Sequence, residues 1–146
     1  MPRAEIEILA RRMRSAIEKI PHEKLPLTMS SFPVGSCGDV SLLLGAYFSD
    51  CGIDGFQYVS GCRGRRNDNT WESHAWLARE SLIVDITADQ FDDGPREIIV
   101  SEKSAWHRAF EKERGQPSDF RVWSGPGIHH LHVMYALLRP SLFEPT

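Results

Sequence analysis

Residues 32–52 read FPVGSCGDVSLLLGAYFSDCG, and the interpretation of this stretch decides the fold. Pro33, Gly35, Ser36 and Gly38 crowd around Cys37, and an apolar run begins immediately after them. Val40, Leu43, Leu44 and Tyr47 recur at i, i+3, i+4 and i+7, which predicts a helix from about Cys37 to Cys51 with one buried face. Ser36 stands at the N-cap position, and Asp39 falls in the first turn, where a negative charge complements the helix dipole. Gly52 is placed to stop the helix in a left-handed conformation. A cysteine wanted only for packing belongs inside the apolar run, not in the glycine-rich turn that opens it. At a helix N-terminus a thiolate is stabilised by the dipole, and the unpaired N–H groups of the first turn can donate to an oxyanion. Gly35 and Gly38 leave room for a carbonyl to approach the sulfur. The stretch thus reads as a nucleophile on a helix.

Upstream, Ile6, Ile8, Leu9, Met13, Ala16, Ile17 and Ile20 form a helical stripe over residues 3–20, ended by Pro21 and the proline-punctuated connector PHEKLPLTMSSFP. Downstream, strands are expected at 55–61, 71–78, 81–87 and 96–101, with a polar loop at 62–70 and a short helix at 103–113. The tail IHHLHVMYALLRP is compatible with either a strand or a helix. A helix followed by a run of antiparallel strands makes the fold class α+β. The length of 146 residues fits one domain over 1–146, with residues 1–30 as a helix and connector packed on a catalytic core of about 31–140.

With a hairpin turn at Arg79 and Glu80, His74 faces Asp85 across two strands, and Trp76 pairs with Ile83 on the same face. Directly opposed residues have Cα atoms about 4.5–5.5 Å apart, so this register places an imidazole beside a carboxylate. Asp85 lies inside the apolar run LIVDI, where a carboxylate needs a partner. An imidazole so held can take the proton of a nucleophile, and Cys37 supplies one. A neighbouring imidazolium in turn favours the thiolate.

In this order of residues, GSCGDVSLLLGAYFSDCG followed by SHAWL and IVDIT, the chain resembles the transglutaminase-like and papain-like thiol enzymes, over roughly residues 33–91. The size and the HAW strand look most similar to the lasso-peptide leader peptidases. The resemblance implies a Cys helix packed on an antiparallel sheet, with Cys37 as nucleophile, His74 as general base and acid, and Asp85 as the orienting acid. It implies acyl transfer without a cofactor or metal on a peptide or protein substrate, one that a partner protein can deliver. Peptide-bond hydrolysis is the first expectation. Glutamine deamidation or amine transfer, or a non-catalytic peptide-binding module that keeps the fold, are the alternatives. Many papain-like proteases carry a Gln shortly before the cysteine; here that stretch is TMSSFPV, and Gln57, Ser36 and Trp71 remain open as the second oxyanion donor.

The rest of the composition narrows the partners. A net charge of −3 gives no basic field for nucleic acid, and no apolar run approaches the roughly 18 residues of a membrane span. Three cysteines without short pairing, and a charged N-terminus without a signal core, favour a reducing cytoplasm. Cys51 and Cys62 read as a helix-end core residue and a loop residue. Cys37, Cys51, Cys62 and His74 lack the short clip of structural zinc sites. Were the tail a strand, His130 and His132 would share a face as a two-histidine clip, though His129, His130 and His132 read better as solvated or supporting groups. RGRR at 63–66 reads as a solvated basic loop tip.

Overall fold

Helix α1 spans Arg3–Glu18 and α2 spans Cys37–Asp50 in the computed structural model, which describes residues 2–143. Ile6, Ala10, Met13 and Ile17 bury one face of α1 at helical spacing, whereas Ile8 falls outside that stripe and is 54% exposed. The buried face also carries a charge. The Arg14 guanidinium donates to the Ile86 carbonyl at 2.7 Å and to both carboxylate oxygens of Asp89 at 2.8 and 2.9 Å. Helix α1 thereby pins the segment just after Asp85.

Helix α2 is buried on all sides from Val40 to Phe48, not on the one face its spacing suggested, because the sheet, α1 and α4 all pack against it. It ends as expected at Gly52, whose φ of +79° suits glycine. The N–H of Gly52 donates to the Ser49 carbonyl and that of Ile53 to the Phe48 carbonyl, at 3.1 and 2.9 Å. Two orphan carbonyls are satisfied in this way, and buried Ile53 and Phe48 flank the turn. Ser36 occupies the N-cap position through its carbonyl, which accepts from Val40 N–H at 2.9 Å, but its hydroxyl makes no cap bond.

The sheet is antiparallel throughout. Strands β1 (Gln57–Arg63), β2 (Glu72–Arg79), β3 (Leu82–Asp85) and β4 (Ile99–Ser101) lie in the order β4-β3-β2-β1, and two short strands, β5 (Glu111–Lys112) and β6 (Gln116–Pro117), both pair with β1. Between β4 and β5 lies the four-residue helix α3, Ala105–Arg108, and the chain closes with α4, His129–Phe143. The tail is therefore a helix. Leu131, Met134, Tyr135, Leu138 and Leu142 form its buried stripe against the same core as α1 and α2.

Residues alternate across the sheet, so Leu77, Leu82 and Val84 join that aliphatic core, while His74, Trp76 and Asp85 face the other way. The β2–β3 register corrects the sequence reading. Leu77 pairs with Val84, Ala78 with Ile83 and Arg79 with Leu82, which makes Glu80 and Ser81 the loop. The hairpin is thus shifted by two residues from the expected register. Trp76 rather than His74 stands opposite Asp85 in the continued ladder, and Ile83 pairs with Ala78. A slip of two preserves parity, so His74 and Asp85 still share a face as diagonal neighbours.

Candidate active site

His74 and Asp85 are almost fully buried, at 1% and 2% exposure, and meet through a hydrogen bond of 2.7 Å between Nε2 and Oδ2. Sequence reasoning missed the second imidazole at the same carboxylate. His107, on α3 and fully buried, places its Nε2 2.6 Å from that same Oδ2. The other oxygen, Oδ1, accepts from the Thr87 backbone N–H at 2.9 Å. Burial alone would raise the Asp85 carboxyl, but the hydrogen bonds from His107 and His74 outweigh it and bring the group down to about 2. An ionised carboxylate only accepts, so Nε2 carries the hydrogen in both rings, and His74 is left with Nδ1 for chemistry.

Cys37 opens α2 and is half-buried. Burial works against charge on His74, but the hydrogen bond with Asp85, together with the nearby Asp85 carboxylate and Cys37 sulfur, raises the imidazole to about 9. Gln90, in the turn after Asp85, bridges the two sides. Its Oε1 accepts from the Gly35 N–H at 3.2 Å, its Nε2 donates to the Thr87 carbonyl at 3.2 Å, and the same Nε2 lies 3.4 Å from His74 Nδ1. Gly35 has φ +74°, a turn that directs its N–H to this contact.

Tyr58, on β1, adds a phenol. Its hydroxyl oxygen lies 3.3 Å from where a Cβ on Gly38 would begin, so glycine there allows the close approach. Burial, with the Cys37 and Asp39 charges nearby, pushes the phenol up to about 12, which keeps it a donor through neutral pH. Among the oxyanion donors considered from sequence, Gln57 lies on the opposite face of β1 from Tyr58, beside Gly115. The Ser36 hydroxyl is turned back to the Val34 carbonyl at 3.4 Å, and the Trp71 ring carries the Arg66 guanidinium at 4.4 Å.

An aromatic wall closes the face. Phe91, Trp106, Trp76 and Phe110 surround His74 with ring centroids 5.1–6.1 Å away. Arg63, read as part of a basic loop tip, instead ends β1. It stacks on Trp106 and Phe110 at 5.0 and 4.8 Å while paired with Glu72 and Asp93. Cys62 is also on β1 rather than in a loop.

Metal-ligand arrangements read differently in three dimensions. Cys37 and Cys51 sit at opposite ends of α2, about 20 Å apart along its axis, and cannot share an ion. His130 and His132 diverge because α4 is a helix: His130 Nε2 meets Asp39 Oδ2 at 2.9 Å, and His132 packs edge-on against Phe120. The donors of His74, Asp85 and His107 converge within 4.8 Å. Their N···O separations of 2.6 and 2.7 Å are hydrogen-bond lengths, shorter than the roughly 3 Å that separates ligands each about 2.0–2.1 Å from one ion.

No protein-family model matches the chain, no curated protein matches it, and no solved structure does. Among the described residues no helix is long and apolar enough to cross a membrane.

Proposed function

We propose that the chain is a cysteine-dependent acyl-transfer enzyme with a transglutaminase-like, papain-like fold, and that it cleaves a peptide amide through an acyl-enzyme on Cys37. The observation that carries this reading is His74, with one nitrogen fixed by Asp85 and an imidazolium favoured jointly by Asp85 and Cys37. Such a pair keeps a nucleophilic sulfur and an acid for the leaving group ready together. In the first step the Cys37 sulfur attacks the amide carbonyl carbon. The C–N bond breaks as His74 Nδ1–H protonates the leaving amine. In the second step His74 takes a proton from water, the hydroxide adds to the thioester, and the sulfur leaves as thiolate. The first-turn N–H groups of α2 support the tetrahedral oxyanion, and the Gln90 amide, bonded to Gly35, and the Tyr58 hydroxyl, close to Gly38, are the side-chain donors we assign beside them. The working compartment we infer is the cytoplasm, a reading supported by three cysteines that remain free.

The test is brief iodoacetamide labelling at pH 7 with mass-spectrometric mapping, followed by turnover of a fluorogenic peptide library. Cys37 should label much faster than Cys51, whose thiol is pushed up by burial and by Asp50, and faster than Cys62. Cys37→Ala should abolish cleavage. Equal labelling of the three thiols in folded protein, or cleavage that survives Cys37→Ala, overturns the proposal.

A further inference from the structure

Helix α3 is too short to owe its place to packing area, and its buried polar residue needs explaining. His107 is fully buried, walled by Trp76 at 4.8 Å and Trp106 at 4.9 Å. An apolar side chain would fill such a niche without desolvation cost, whereas a buried imidazole requires partners for both nitrogens. Both are present. Nε2 meets Asp85 Oδ2, and Nδ1 meets the hydroxyl of Ser104, the residue that caps α3. The Ser104 oxygen also accepts the His107 backbone N–H at 3.3 Å. Ser104 thus caps α3, but the third helical residue is a histidine where a capping box has Glu or Gln, and its ring bonds the cap hydroxyl and Asp85.

The carboxylate is consequently gripped from three elements: His74 on β2, His107 on α3, and the backbone of Thr87 just beyond β3. Without His107, Oδ2 would keep His74 as its one side-chain donor, in a site where burial leaves little room for water to replace the lost bond. We propose that His107 is a positioning residue for the Cys37–His74 pair. By sharing Asp85 Oδ2 it holds that oxygen where His74 must donate Nε2–H, so that Nδ1 alone is left free to serve the thiol. Ser104 in turn fixes the ring of His107. This extends the acyl-transfer reading and rests on it for its consequence in catalysis. The claim about His74 stands on the buried geometry alone.

The experiment compares His107→Phe, which keeps an aromatic filler and removes the donor, with His107→Gln, which restores an N–H. The readouts are the nitrogen-15 ring shifts of His74, which report its tautomer, and the rate of Cys37 alkylation per folded molecule. Wild type should show a single Nε2–H form of His74 in its neutral state. His107→Phe should give a mixture of tautomers and slow Cys37 alkylation about tenfold or more, and His107→Gln should recover most of both. If His107→Phe folds with the His74 tautomer and the alkylation rate unchanged, His107 is only a structural residue and the proposal falls. If His107→Phe does not fold, Ser104→Ala decides. It leaves the buried ring in place but unfixed, and should broaden or split the His74 ring signals; an unchanged His74 overturns the proposal. Should Cys37 of the wild type prove no more reactive than Cys51 and Cys62, the enzyme reading fails, while the tautomer measurement still decides the role of His107.

Discussion

On one face of the sheet, Leu77, Leu82 and Val84 belong to a core shared with Ile6, Leu43, Leu44 and Leu138. On the other face, Trp76, Phe91, Trp106 and Phe110 enclose two imidazoles and a carboxylate. Both faces are buried, but they are held by different means. The first depends on volume, and it tolerates exchange among apolar side chains of similar size. The second depends on donors and acceptors that must all be matched, because water cannot easily replace a missing partner. The two faces should therefore respond to different mutations, and only the second should register at Cys37.

The largest effect is expected from Asp85→Ala. Two imidazoles and the Thr87 N–H would lose their common acceptor, and removing one member of a buried charged network typically costs about 3–5 kcal/mol. Urea unfolding at pH 7 measures this, and Cys37 labelling should fall to that of an ordinary thiol in the same protein. A loss below about 1 kcal/mol, within the range of a surface pair, would show that the polar face is not a coupled network.

Leu43→Ala makes the matching cut on the aliphatic face. Leu43 is fully buried, so a cost of about 2–5 kcal/mol is expected from lost transfer energy and the cavity left behind. Cys37 reactivity, corrected for the folded fraction, should not change. If reactivity falls with it, the faces are mechanically linked and the separation drawn above is wrong.

A pH series separates the faces without mutation. His74 rises from an ordinary 6.5 to about 9, so its contribution to stability is fully present below about 6.5 and is lost as pH rises through about 9. Asp85 is lowered from 3.8 to about 2, so its contribution is present above about 3.8 and is lost as pH falls through about 2. The alkaline loss due to His74 should amount to about 3 kcal/mol. Unfolding free energies at pH 6 and pH 10, for wild type and His74→Gln, isolate it as a difference. A wild type that loses no more than the variant would mean that the imidazole is not held charged by the fold. Leu43→Ala should leave the slope as it is in wild type.

The contrast between the faces also explains what the sequence disclosed. The aliphatic face was legible because α1 buries residues at a regular period, α2 carries an unbroken apolar run, and Gly52 marks a helix end by its chemistry. The His74–Asp85 pair was legible as a shared face because strand alternation survives an error of two in register. His107 was not legible: the helix expected at 103–113 is only Ala105–Arg108, followed by a strand at Glu111–Lys112, and so short a turn has no face whose period would aim one side chain at Asp85. Arg14 escaped for a related reason. Its pattern says helix face, and only the fold reveals that the Ile86 carbonyl and Asp89 wait behind it. The helical tail was hidden because its histidines mask a stripe that Leu131, Met134, Tyr135 and Leu138 carry.

The smallest effects are expected at the loop that sets the register on which both faces depend. Glu80 and Ser81 join β2 to β3, and Glu80 has φ +54°, the left-handed region. Two-residue hairpin loops favour positive φ because the mirror-image turns match strand twist, and glycine is the residue that adopts it freely. Glutamate there costs roughly 1 kcal/mol of backbone strain. Glu80→Gly removes that strain but adds unfolded-state freedom worth about 0.5–1 kcal/mol, so the net change should be a gain of no more than about 0.5 kcal/mol. Glu80→Val should lose about 1–2 kcal/mol instead, since a β-branched side chain fits the left-handed region poorly. Neither change touches the site, so the rate of Cys37 labelling and the His74 ring signals should stay as in wild type. A slip of one residue would turn His74 toward the aliphatic core and reverse every side chain on the strand. Such a slip would appear as lost Cys37 reactivity in a folded Glu80→Val protein, and that result would mean that this loop, rather than the burial of the two faces, holds the register. Equal stability of the glycine and valine variants would mean that the loop does not need the conformation seen at Glu80.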